Sequence, residues 1–129
     1  MAYTIDRIVT GDFNDVIDRV IAALKEEGFG VLTDIDVRAT LANKLGVEFR
    51  PYRILGACNP SMAHQALQME SKIGAMLPCN VVVQQLPDGG VEVSAVDPVA
   101  SLGRVGNPEL GKVAGVVREK LERVIAALG

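Results

Sequence analysis

The chain has 129 residues, 49% of them apolar, and a formal charge of −3; with no basic run or aromatic-interleaved basic patch, that balance excludes a nucleic-acid backbone as partner. Its length suits a single domain, residues 1–129, built on one sizeable core. No apolar stretch approaches the roughly 18 residues of a membrane span, and the leading Met1-Ala2-Tyr3-Thr4-Ile5-Asp6-Arg7 lacks the order of a secretory signal, so a cytoplasmic protein with no membrane partner is expected.

Tyr3 to Val9 reads as a strand, and Gly11-Asp12 then prepares a helix, because an aspartate oxygen accepts from the free amides of a first turn. Phe13, Val16, Ile17, Val20, Ile21 and Leu24 fall on one stripe at helical period, and Gly28 supplies the left-handed stop. Phe29 to Ile35 is a second strand. Asp36 caps a shorter helix that carries Val37, Leu41 and Leu45 and ends at Gly46. Phe49 to Ala57 is a third strand, whose alternation places Tyr52, Ile54, Gly56 and, on continuation, Cys58 on one face. Pro51 has no N–H for a ladder and so predicts an edge or a bulge there.

Ser61 to Ser71 follows as a short helix ended by Gly74. Asn80 to Leu86 and Val91 to Val96 flank Pro87-Asp88-Gly89-Gly90, where proline presets the turn and glycine admits positive φ, so a hairpin is predicted. A long helix from Pro108 closes the chain, striped by Leu110, Val113, Ala114, Val117, Leu121, Val124 and Leu128. Two Tyr, three Phe and no Trp leave the core to Val, Ile, Leu and Ala. Two long helices with one apolar stripe each suit one face of a mostly antiparallel sheet, so the expected fold class is α+β, a two-layer sandwich.

Both cysteines precede an asparagine, in Ile54-Leu55-Gly56-Ala57-Cys58-Asn59-Pro60 and in Leu77-Pro78-Cys79-Asn80-Val81-Val82-Val83. Each stands where an apolar run meets turn residues, which puts two thiols at strand ends. Without an export signal they are expected to stay thiols. Asn59-Pro60, Asp97-Pro98 and Asn107-Pro108 share one pattern, a capping side chain before a proline whose missing N–H suits the first helical position. Capping therefore accounts for Asn59, Asp97 and Asn107. Cys58, one residue before such a start, would feel the positive end of a helix and gain acidity as a nucleophile or ligand; the alternative is a small hydrophobe filling a gap. Asn80 precedes a strand and no helix, and Pro78 predicts a tight or cis turn there, beside the plainer reading of a turn that opens a strand.

Topology decides whether the thiols meet. Antiparallel neighbouring strands would set Cys58 and Cys79 at one sheet edge facing one pocket, whereas parallel strands joined by a crossover would hold them roughly 15 to 20 Å apart. No metal is expected: there is no Cys-x-x-Cys and His64 is the single histidine, so a closed zinc site lacks ligands. Met62, Met69 and Met76 recur every seven residues and with the thiols would suit Cu(I), but packing explains them more simply. His64 falls on a polar helix face, where exposure is expected, and is a weak partner for Cys58. Arg50 and Arg53 suit an anionic ligand or, more ordinarily, cross-strand acids. Gly103-Arg104-Val105-Gly106 is too short for a nucleotide loop, and no cofactor is expected.

Tyr52 to Pro60, Leu77 to Val83 and Val96-Asp97-Pro98 together resemble a bacterial family catalogued as domain of unknown function 302, over nearly the whole chain, the Pro-Cys-Asn before the valines being the most specific part. The resemblance implies a curved antiparallel sheet backed by helices, similar in outline to one repeat of the TATA-box-binding protein. It nominates Cys58, Asn59, Cys79, Asn80, Asp97 and Pro98 as marked positions and implies no activity; nor does a DNA binder's fold transfer its function to an acidic chain. The leading expectation is a binding module for an unknown small molecule, with a pocket lined by Cys58, Cys79 and Asn80 and Arg53 as an anion contact. The alternatives are a thiol enzyme in which Cys58 attacks and Cys79 resolves through a disulfide, and a structural or interaction protein, a homodimer, with inert cysteines.

Overall fold

Alternating apolar residues and helical stripes fold much as that reading requires. In the computed structural model, which describes residues 2–129, the chain runs β1 (Thr4–Val9), α1 (Phe13–Glu26), β2 (Gly30–Asp36), α2 (Val37–Leu45), β3 (Tyr52–Cys58) and α3 (Pro60–Met69). A 3-10 turn (Ile73–Met76) leads into β4 (Cys79–Gln85), β5 (Val91–Val96), α4 (Pro98–Gly103) and α5 (Leu110–Ala126). Met1, where the leader reading begins, lies outside the described residues.

The strands form one antiparallel sheet in the order β1-β5-β4-β3-β2, open at both edges. The β4–β5 hairpin turns at Gly89, with φ +95, where Leu86 N donates to Gly90 O at 2.8 Å. Inward positions of the strands, Leu55, Val81, Val83, Val91, Val93 and Ala95, are buried against Val16, Val20 and Leu24 of α1 and Leu110, Leu121 and Val124 of α5. Strand alternation supplies one apolar face and each long helix supplies one apolar stripe, so the two layers meet in a single aliphatic core. Asp12 caps α1 by accepting from the amides of Asn14 and Asp15.

Several boundaries differ from the sequence expectation. Pro51 marks no edge: β3 lies between β2 and β4 and starts at Tyr52, leaving Pro51 outside with its carbonyl accepting from Gln85 N at 3.0 Å. The irregularity falls instead on β2, where Val31 pairs with Ala57 and Thr33 with Gly56, so Leu32 is an extra, bulged residue. α2 forms behind its Asp36 cap but buries none of its residues, so the predicted stripe of Val37, Leu41 and Leu45 never reaches the core. α3 runs from Pro60 to Met69 rather than from Ser61 to Ser71, and Gly74, the expected stop, sits within the 3-10 turn. α4 was not predicted as an element, although Asp97-Pro98 is its start. Among the described residues no helix is long and apolar enough to cross a membrane.

Candidate functional site

Cys58 is the last residue of β3 and Cys79 the first of β4; these strands are antiparallel neighbours, with Ala57 directly opposite Cys79. The two thiols therefore share one end of the sheet. Both are free and half-buried, and both line one cavity of about 310 Å³. Its floor is the end of β3 and β4, and its walls come from Leu32 on the β2 bulge, Met62, Ala63 and Ala66 on α3, Met76 and Leu77, Pro98 and Leu102 on α4, and Val117 on α5.

The sequence around each cysteine explains how this corner is held. Leu77-Pro78 is a cis peptide bond. Gly56 is buried in β3, and the Thr33 side chain and the Pro78 ring occupy the space where a β-carbon would stand, so the absence of a side chain lets both neighbours close over the strand. On the other side Asn59 caps α3, its Oδ1 accepting from Met62 N at 3.3 Å. Its Nδ2 lies 3.1 Å from where a β-carbon on Gly28 would be, and Gly28 itself has φ +84, so both conformation and close approach call for glycine.

Burial pushes the Cys79 thiol up to about 11, with the charge of a Cys58 thiolate acting in the same direction. Cys79 is thus a neutral thiol at physiological pH, and a charge on Cys58 is felt across the gap.

The other nominated residues divide. Asn59 lines the cavity with the cysteines. Asn80, opposite Gly56, is exposed on β4 and is outside the lining. Arg53 is engaged elsewhere, its Nε donating to Asp34 Oδ1 at 2.7 Å and its NH2 group to the other carboxylate oxygen. That pairing holds the Asp34 carboxyl below its usual value and the Arg53 guanidinium above its own. Asp97 is buried, accepts from Val99 N at 2.9 Å to cap α4, and stands 3.5 Å from Arg118 Nε. Arg50 donates to Gln84 and stacks over Phe49, 4.3 Å from the ring centroid. His64 is exposed and does not reach the cavity. Asn107 accepts from Glu109 N and donates to Met69 O, so it ties the end of α3 to the approach to α5.

Of the wall residues, sequence reasoning marked Pro98 through the family resemblance and missed others. Leu32 enters the site because of a bulge that no local motif announces, and Leu102 enters beside Pro98 through α4. Met62 and Met76 were visible by spacing but grouped with Met69, which packs against the core outside the cavity. Among the described residues no three His, Cys, Asp or Glu side chains cluster as a metal site.

Residues 5–128 match the model of a family described as Domain of unknown function DUF302. The chain belongs to this family. The DUF302 chain is also similar to the crystal structure of an uncharacterized conserved DUF302 protein from Bacillus stearothermophilus, with 31% identity, 98% of each chain covered and a TM-score of 0.91. No curated protein matches it.

Proposed function

We propose that this DUF302 domain is a binding module that receives a small ligand in the cavity at the shared end of β3 and β4. The observation that carries this reading is that Cys58 and Cys79, from two different strand ends, open into one cavity whose remaining walls are almost wholly apolar. Pockets of a few hundred Å³ with apolar walls and a few placed reactive or polar groups are where small ligands sit. Cys58, Asn59 and Cys79 are the contacts; Arg53, Asn80 and Asp97 are left out, because none of them lines the cavity. The same burial weighs against Cys79 as the resolving thiol of a disulfide exchange. A thiol raised to about 11 supplies little thiolate at neutral pH, and thiol–disulfide exchange runs through the thiolate.

The test is entry to the cavity. Iodoacetamide is expected to alkylate Cys58 in the native protein, and Ala63→Leu, which thickens the α3 wall, is expected to slow that reaction severalfold with the circular dichroism spectrum unchanged. Native Cys58 that resists the reagent, or a rate indifferent to Ala63→Leu, overturns the reading.

A second reading, a homodimer, draws on one observation: α2 buries no residue against its own chain, and the edge strand β2 beside it is exposed at nearly every position. A long exposed edge strand is a template for pairing. Sedimentation as a monomer at micromolar concentration would remove this second reading.

A further inference from the structure

We propose that the ligand is a soft monovalent metal ion, Cu(I), held in the cavity by sulfur alone: Cys58 and Cys79 as thiolates with Met62 and Met76 as thioethers. This inference rests on the cavity reading above and specifies what enters.

The distribution of sulfur is the main argument. Residues 2–129 carry five sulfur side chains, at Cys58, Met62, Met69, Met76 and Cys79. Four of the five line this one cavity, and only Met69 does not. They arrive from separate places in the chain: the end of β3, the first turn of α3, the 3-10 turn and the first residue of β4. Met62 and Cys79 also pack against the core, but burial does not account for Met76, which lines the cavity while 38% exposed.

The chemistry of the remaining wall selects the ion. The lining contains no carboxylate, imidazole, ammonium or guanidinium. Its polar side chains are Asn59, whose oxygen accepts from Met62 N, and Ser101, whose hydroxyl lies 3.5 Å from Pro98 O. A hard cation such as Mg²⁺ or Ca²⁺ has no oxygen cage here, and Zn²⁺ lacks the nitrogen or further thiolate donors that complete its tetrahedron. Thiolate and thioether donors select Cu(I).

Charge follows the same logic. A monocation between two thiolates offsets the repulsion of one charged sulfur by the other. On binding, two S–H bonds break, two Cu–thiolate bonds and two Cu–thioether bonds form, both protons pass to solvent, and copper remains Cu(I) throughout. Affinity therefore rises with pH, with two protons released for each ion bound.

The experiment is an anaerobic titration of the whole protein with Cu(I) against bathocuproine disulfonate, following thiolate-to-copper charge transfer in the ultraviolet. One Cu(I) per chain is expected, unaffected by excess Zn²⁺. Cys58→Ser and Cys79→Ala should each weaken binding by tenfold or more, and the Met62→Leu/Met76→Leu pair by about tenfold. The methionine pair is the informative variant, because leucine preserves volume and the fold. Wild-type affinity in that pair, or a stoichiometry other than one, overturns the four-sulfur site. If iodoacetamide enters the cavity but Cu(I) does not bind, the metal assignment falls and the cavity reading stands; if neither enters, both fall.

Discussion

Thr33 lies over Gly56 across the β2–β3 pair, its hydroxyl filling the place where any side chain at Gly56 would begin. Pro78 closes on the same glycine from β4's side. The β2 bulge, the middle of β3 and the approach to Cys79 are thus locked together at one buried backbone position. Gly56→Ala must move both neighbours, and overpacking of this kind costs about 1–3 kcal/mol. Urea unfolding should show that loss, and Thr33→Gly in the Gly56→Ala background should recover part of it, because the two sites share a clash. Additive losses would show that Thr33 is not the obstacle.

Cys79 gives a pH dependence of definite sign. In the folded chain its proton is held to about pH 11, against an ordinary thiol value of 9.0. Folding therefore favours the protonated form. The stability this contributes is complete below about pH 9 and drains away as pH rises through about 11. Allowing for the partial exposure of the residue, the contribution is about 2 kcal/mol. The difference in unfolding free energy between wild type and Cys79→Ala should shrink by that amount from about pH 8 to about pH 11. A constant difference would show that burial does not hold the proton.

Arg53 and Asp34 make a bidentate pair, but their side chains are 25% and 35% exposed. Water and salt screen such a pair, so a double-mutant cycle with Arg53→Ala and Asp34→Ala should return a coupling of at most about 1 kcal/mol. The Asp34 carboxyl is held below its ordinary value by Arg53. Its contribution is accordingly present above the ordinary carboxyl range and lost as pH falls through the lowered value. Arg53→Ala should leave the alkylation rate of Cys58 unchanged. A slower or faster rate would return Arg53 to the site.

What the sequence made legible followed from periodicity and capping. The α1 and α5 stripes became buried helix faces, and the turn chemistry at Pro87 to Gly90 became the β4–β5 hairpin. The convergence of Cys58 and Cys79 was reducible to one alternative, parallel or antiparallel, that local sequence does not settle. Strand pairing is a long-range property, and so is the bulge that brings Leu32 over the cavity. α4 escaped because six residues, Pro98–Gly103, are too few to display a helical period. α2 misled for the opposite reason: Val37, Leu41 and Leu45 have the spacing of a buried stripe, but the edge strand β2 offers them no surface to cover.

Asp97 separates a structural explanation from a binding one. It sits at 9% exposure, buried among apolar neighbours, yet its carboxylate has two partners, the Val99 amide it caps and Arg118 on α5. A buried carboxylate persists only when so satisfied. Asp97→Ala leaves the first turn of α4 without its acceptor and Arg118 with Glu122 as its remaining partner, an expected loss of about 1–2 kcal/mol. Asp97→Asn keeps the capping oxygen and gives up the charge. Its cost should be smaller and should largely vanish in an Arg118→Ala background, since the partly exposed ion pair is what distinguishes Asp from Asn there. Because Pro98 and Leu102 of α4 form one wall of the cavity, a loosened α4 should also speed alkylation of Cys58 in Asp97→Ala while Asp97→Asn matches wild type. Equal rates in all three proteins would show that α4 does not restrict entry, and a large loss in Asp97→Asn would give Asp97 a role that capping does not explain.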